Sequence, residues 1–395
     1  MTNPDVVLSY GLGVDSTAVL LRWLLEPASR DFDLSRLVVV TAMTGDEWPQ
    51  TGLDVAEHVL PLLRTHGVRF VQAARGRARV SAAGAGMTVL DDSRAPTEVF
   101  LAGDYKLSEE MAVIGTIPQS GGRRACSMHA KGEVLDPLIA ELTGGRSFRH
   151  AVGFEVDELS RVRRDRQYGS AQRQPVYPLV EWGWDRAACL AYIHAQTGVV
   201  WSKSACTMCP FAFGSAAGRE RTLALYAKHP DVAARTLMME HTALSLNPAQ
   251  GLIAGARLID LVRSRGMREA LAAFAAELAA AEWAVYEVRR INRPSRDDPL
   301  RYGNSARAVM RRTAGLSQEG ALRDLRGQGP IDGSDDVARV WLRRAGEQLP
   351  SVAHFFAAAP TSVQDKQQPN FDDWWEDALL RVAAQPRPDV QLAFL

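Results

Sequence analysis

Cysteine is scarce in this chain: there are four among 395 residues, and none follows Cys209. So few thiols cannot staple a scaffold of this size, so any that cluster point to metal or redox chemistry. No apolar run approaches the length that spans a bilayer, and no N-terminal stretch joins a basic start, an apolar core and a small-residue cleavage site. The expectation is a soluble, cytoplasmic protein with no membrane partner. An excess of either charge is also missing, since Lys plus Arg and Asp plus Glu each total 46. The net field therefore gives no pull on a polyanion, and a nucleic-acid surface has to be a local patch. Internal repeats and low-complexity tracts are absent.

What is present is ample apolar material, 46% of the residues, in a chain long enough for two domains. Apolar β-rich runs at Val6–Leu8, Leu37–Val40, Val68–Val71 and Ala151–Phe154 alternate with helix-patterned segments such as Thr17–Leu25 and Asp54–Leu63. That rhythm predicts an α/β domain, a Rossmann-like parallel sheet covered by helices, over 1–215. From about Ala216 the strand signals fade and Ala/Leu/Arg-rich segments predict a mainly α-helical accessory domain over 216–395, with Met267–Arg290 its longest helix. Leu271, Phe274, Leu278 and Val285 recur there at helical spacing and read as core packing. Trp341, Phe355, Phe356, Trp374 and Trp375 read as core or interface. Asn292–Gly333 is polar and turn-rich, and ten Arg against four acidic residues between Arg289 and Arg326 make it the candidate phosphate-backbone surface.

The segment Ser9–Leu20, SYGLGVDSTAVL, joins a strand, a glycine turn and a helix start. Gly11 and Gly13 open backbone angles and close approaches closed to other residues, while Ser16 and Thr17 sit where the first helical turn leaves amides unpaired. Such a turn binds phosphate. It lacks the lysine of GxxxxGK[ST] loops and the spacing of GxGxxG, with Asp15 where neither motif wants an acid. In a parallel sheet, ligands bind at the carboxyl ends of strands, so this loop and the segment TAMTGDEW from Thr41 should face one pocket. Asp15 and Asp46 are candidates for orienting magnesium or a ribose.

SACTMCPF places Cys206 and Cys209 at CxxC spacing, which suits a redox dithiol, half a zinc site or half an iron–sulfur site. Cys126, in GGRRACSMHAK, is the candidate third ligand, and His129 and His194 are the residues that would complete a zinc site instead. Cys189 lies on an amphipathic pattern with Tyr192 and Ile193 and reads as a small hydrophobe.

These pieces resemble the PAPS reductase-like branch of the PP-loop ATP pyrophosphatases. The resemblance covers roughly 5–215 and rests on SYGLGVDST at Ser9, TGDEWPQT at Thr44, RRACSMHAKGEVLDPL at Arg123, GFEVDELSRVRR at Gly153, YPLVEWGWDR at Tyr177 and SACTMCPF at Ser204. It implies a PP-loop fold that cradles the pyrophosphate of ATP with Ser9, Tyr10, Gly11, Gly13, Asp15, Ser16 and Thr17. It implies adenine held by the backbone at Thr41–Met43, and further nucleotide contacts from Gly45, Asp46, Gly153 and Glu158. Arg123, Lys131 and Arg161 are implied to serve the phosphate or sulfur-bearing group, with Asp15 in the catalytic set and Glu158 holding Arg161 or Mg2+. Of the run Arg161, Arg163, Arg164 and Arg166, only Arg161 is expected to point inward.

The departures narrow the expectation. Thioredoxin-dependent PAPS reductases carry a catalytic cysteine near the C-terminus, and this chain has none. Iron–sulfur APS reductases pair two adjacent cysteines where Ala125 here precedes Cys126. The chain is most similar to PP-loop sulfur-transfer proteins with a [4Fe-4S] cluster, which include DNA phosphorothioation proteins and certain tRNA thiolation enzymes. That similarity implies an ATP-dependent sulfurtransferase on nucleic acid, ligands Cys126, Cys206 and Cys209 with zinc as the alternative metal, a cysteine desulfurase or other sulfur donor, and partner proteins of a modification complex. An APS or PAPS reductase and a non-catalytic nucleotide sensor remain the other readings.

Overall fold

The computed structural model describes residues 4–76, 86–118, 125–298, 301, 303, 305–334 and 336–385. Two compact units divide it: Met1–Glu110 with Gly122–Ala212, and Met111–Gly121 with Phe213–Leu395. The long-range change at Ala212/Phe213 compares with 215/216 expected from the sequence. Among the described residues, no helix is long and apolar enough to cross a membrane.

The first unit is α/β. Its six strands are β1 (Val6–Ser9), β2 (Leu37–Met43), β3 (Arg69–Arg75), β4 (Met87–Ser93), β5 (Phe148–Val152) and β6 (Arg173–Val176), in the order β4-β3-β2-β1-β5-β6. All neighbours are parallel except β3 and β4. β2, LVVVTAM, is buried at every position, as a parallel strand covered on both faces must be. Alternate residues feed two cores. Val6 and Leu8 pack with Val19 and Leu20 of helix α1 (Val14–Leu25) and with Cys189 and Ile193 of the helix Arg186–Thr197. Val7, Val38 and Val71 pack with Val134 and Leu138 of the helix Glu133–Thr143. The segment expected as one helix over Asp54–Leu63 is two, Pro49–His58 and Leu60–Thr65, with Pro61 in the first turn of the second.

Strand order reverses at β1: β2 and β3 lie to one side, β5 and β6 to the other. The loops after β1, β2 and β5 therefore diverge around a crevice at their carboxyl ends, the place where open α/β sheets bind ligands.

The second unit corrects the expectation of a mainly helical domain. It carries an antiparallel sheet of β7 (Trp283–Asn292), β8 (Ala306–Leu316), β9 (Arg339–Arg343) and β10 (Ser351–Pro360), ordered β8-β7-β10-β9. The helix expected over Met267–Arg290 ends at Ala280, and β7 takes Val285 out of the supposed helical stripe. The segment expected to be turn-rich, Asn292–Gly333, holds β8 and the helix Gln318–Arg326. Helices back both sheet faces. Tyr286, Val288 and Phe355 pack with Leu246 of the helix Pro230–Leu246, and Ile291 and Val352 pack on the other face with Phe371 and Trp375. Phe355 and Trp375 are thus core residues, as their composition suggested.

Candidate functional site

The turn after β1 is built by backbone anchoring. Tyr10 N donates to Val40 O at 2.8 Å, and α1 starts at Val14. The left-handed residue of this turn is Leu12, with φ +59°, and not Gly11 or Gly13. A left-handed leucine costs roughly 1–2 kcal/mol, so something must hold it there. Its side chain is buried, and its carbonyl accepts from Trp201 Nε1 at 3.1 Å. Gly11 O accepts from Ser204 Oγ at 2.8 Å. Ser16 Oγ accepts from Gly11 N and donates to Gly13 O, while the Tyr10 and Thr17 hydroxyls meet at 3.2 Å in the interior. Gly13 is the N-cap of α1 and offers no side chain, so no side-chain oxygen caps the first-turn amides. A Cβ on Gly153 would lie 2.9 Å from Ser16 N. Glycine there keeps the space in front of that amide open, a cradle for an anion.

Beside this amide sit three carboxylates. Asp15, Glu155 and Glu158 each bring an oxygen within 4.8 Å of the others, which no other trio of His, Cys, Asp or Glu does among the described residues. Arg186 donates to Asp15 Oδ2 at 2.9 Å and to Glu155 Oε1 at 3.2 Å. Asp15 Oδ1, Glu155 Oε2 and Glu158 Oε2 are buried with no hydrogen-bond partner. Burial pushes the Asp15 carboxyl up to about 6; Arg186 opposes this, and Glu155 and Glu158 add to it. Orphaned carboxylate oxygens crowded on one point fit a hard divalent cation, and Mg2+ takes such ligands with retained waters. Asp15 and Glu158 are among the residues expected from the sequence; Glu155 and Arg186 are not. The signals were available as the EVDE spacing at 155–158 and the last residue of YPLVEWGWDR.

Arg161 does not point inward. It is exposed, as are Arg163, Arg164 and Arg166, and the buried residue of that turn is Val162. Its guanidinium stacks over Phe154 at 4.3 Å and pairs with Glu158, so it borders the acidic trio from the solvent side.

Across the crevice, β2 extends three residues beyond its pairing with β1, which ends at Ser9–Val40, while β3 pairs on to Met43. Among the described residues, the β1-facing backbone edge of Thr41–Met43, the edge expected to meet adenine, thus has no strand partner; the Thr41 and Met43 side chains are buried. Gly45 takes φ +85° with Lys106 pressed against it. Asp46 accepts from Ser108 N at 2.8 Å and so holds the neighbouring loop; burial pushes its carboxyl up.

The cysteine turn runs alongside this loop. Cys206 bridges to Glu47, Thr207 N donates to Asp46 O at 2.7 Å, and the Thr44 hydroxyl lies 3.2 Å from Cys206 Sγ. Cys209 N donates to Cys206 O, so the two thiols share one turn. Burial pushes the Cys206 thiol well up and Glu47 adds to this, while Lys131 acts to lower it. Cys126 opens the helical stretch that carries Lys131. Cys126, Cys206 and Cys209 do not come within 4.8 Å of one another as a trio, whereas a tetrahedral zinc holds its sulfurs about 3.8 Å apart. His194 is exposed on the last turn of its helix, and His129 joins no metal-sized group. Cys189 is buried in the first core. Arg123 lies outside the described residues.

A hydrogen-bond chain supports the other side of the loop. Arg173 Nε donates to His150 Nδ1 at 2.7 Å, which puts the imidazole proton on Nε2, and this nitrogen donates to Ser9 Oγ at 2.8 Å. Asp165 receives both Arg173 and the Tyr177 hydroxyl. Burial, then Arg173, pushes His150 down to about 4, so it is neutral at physiological pH.

Comparison with known proteins gives no match, either to a family model or to a curated relative. What the crevice can do follows from its own groups: an anion cradle on α1, a cation-sized acidic trio beside it, an open strand edge, and two thiols on a turn tied to the same loops.

Proposed function

We propose that the protein is an ATP-dependent sulfurtransferase of the PP-loop, PAPS reductase-like type, which adenylylates an oxygen of a nucleic-acid substrate and replaces it with sulfur in DNA phosphorothioation. One observation carries this reading: the 201–209 segment, with its two thiols, is hydrogen-bonded both to the carbonyls of the phosphate-type turn and to the loop after β2. On this reading the nucleotide and the sulfur are held by adjacent turns.

In this mechanism the first-turn amides of α1, beside Gly153, bind the pyrophosphate end of ATP. Asp15, Glu155 and Glu158 would hold Mg2+, whose charge offsets that of the phosphates. Lys131, which acts on Cys206, adds positive charge where negative charge builds, while Arg161 holds Glu158 from the solvent side. The substrate oxygen attacks the α-phosphorus and pyrophosphate leaves; sulfur at the sulfide level then displaces AMP from the activated atom. Cys206, Cys209 and Cys126 would hold a [4Fe-4S] cluster, which would supply that sulfur when bound. A cysteine desulfurase is the donor class that would replenish it as persulfide sulfur, with a thiol reductant giving the two electrons that bring this sulfur to the sulfide level.

The test measures pyrophosphate release and, after nuclease digestion, phosphorothioate linkages, using anaerobic protein with ATP, Mg2+, DNA, cysteine, a desulfurase and a thiol reductant. Wild-type protein should give both products and Gly13→Val neither, because its side chain would meet Ser204 Oγ at 2.7 Å. Cys206→Ser should release pyrophosphate without incorporating sulfur. ATP binding with neither product in the wild type would leave a nucleotide sensor and end the proposal.

A further inference from the structure

In the second unit, Arg290 of β7 lies directly opposite Arg307 of β8. Cross-strand partners share a sheet face, and like charges in that position destabilise the pair unless something neutralises them. The same face carries Val288 and Val309 one register step away, and Val309 exchanges backbone hydrogen bonds of 2.8 Å with Lys366. A third cation therefore stands at the rim of the pair.

Among the described residues, no carboxylate pairs with these charges. Arg307 donates to Ile114 O at 3.0 Å and to the Thr116 hydroxyl, both neutral acceptors. Arg290 Nη1 is buried with no hydrogen-bond partner. The nearby acids are engaged elsewhere: Asp365 accepts from Arg311 N at 2.7 Å, and Asp372 pairs with Arg289 at 2.8 Å. Burial pushes Arg290 down to about 10 and Arg307 adds to this; burial also lowers Arg307 and, with Arg307 adding, Lys366, and among the described residues no acid acts on any of the three. Half-buried guanidinium groups without a counter-ion are costly, and guanidinium forks match the oxygens of a phosphate.

We propose that Arg290, Arg307 and Lys366 form a phosphate-binding site on the β7–β8 face, separate from the nucleotide crevice. Free phosphate and a nucleic-acid backbone present the same oxygens, and the two sources are separated by experiment. The full chain, without ATP or Mg2+, is unfolded thermally in phosphate and in chloride at matched ionic strength. Phosphate should raise the wild-type midpoint, and Arg290→Met and the rim variant Lys366→Ala should each weaken that dependence by about tenfold or more. Circular dichroism checks that both variants are folded. Labelled duplex DNA is then titrated by anisotropy: Arg290→Met lowering DNA affinity identifies the backbone as the source, and unchanged DNA affinity identifies free phosphate. Equal midpoints in phosphate and chloride, or wild-type phosphate dependence in both variants, would overturn the site. Because nucleotide is absent throughout, this result stands apart from the sulfurtransferase reading.

Discussion

Replacing Asp15 by Asn should stabilise the metal-free protein, although Asp15 lies at the centre of the site. The Asp15 carboxyl titrates near 6 in the fold against 3.8 in an unfolded chain. Ionising it in the folded state therefore costs about 3 kcal/mol at neutral pH. Below pH 3.8 both states hold the proton and nothing is lost. As pH rises, the unfolded chain ionises first, so stability falls until the folded carboxyl ionises near 6. Asn keeps an acceptor for Arg186, which also retains Glu155. The stability difference, variant minus wild type, should thus grow from near zero at the acid end to about 3 kcal/mol above pH 6. Urea unfolding in EDTA across this range measures it. The difference is the proper quantity, because His150 titrates in the opposite sense and cancels between the two proteins. Adding Mg2+ should raise the wild-type midpoint and leave the variant unmoved. A variant less stable than wild type in EDTA at neutral pH, or a difference that does not change with pH, would refute the reasoning.

Two further outcomes follow from the loop. Gly153→Ala places a methyl 2.9 Å from Ser16 N and 3.1 Å from Ser16 Cα, backbone that cannot step aside, whereas Gly11→Ala meets nothing within 4 Å; calorimetry should show ATP affinity lowered about tenfold or more in the first and nearly kept in the second, and equal affinities would sink the cradle. His150 takes a proton at about 4 in the fold and at 6.5 when unfolded, so it withdraws up to about 3 kcal/mol of stability as pH falls from 6.5 towards 4. Histidine NMR showing that imidazole titrating near 6.5 in the folded protein would contradict the buried, Arg173-bonded tautomer.

The first sheet was legible because β1, β2 and β3 are apolar runs punctuated by turns, and central parallel strands have little choice but to read that way. Gly11, Gly13 and Asp15 marked the loop for the same kind of reason. Leu12 did not: nothing local announces a left-handed leucine, since its conformation is held by Trp201 and by core packing from distant sequence. Glu155 and Arg186 were hidden because an acid or an arginine in a helix-flanking turn is usually solvated, and only the fold brings them onto Asp15. The second sheet was missed because its strands are unusual. β10 reads SVAHFFAAAP, and alanine has low strand propensity except where, as here, small side chains lie beneath covering helices. β7 follows directly on an Ala-rich helix, so the helical period ran on past its true end.

The anchoring of Leu12 also bears on how the loop can be moved or inherited. Residues 9–25 look like a portable cassette of strand end, glycine turn and helix. The carbonyls of Gly11 and Leu12, however, are each held by a hydrogen bond from the 201–204 stretch, 193 and 189 positions along the chain. Grafted alone onto another parallel sheet, the cassette would lose both struts, and the leucine would relax out of its left-handed state. The glycine turn and the thiol turn are one transferable part, and a transplant, a truncation or a circular permutation that separates them forfeits both.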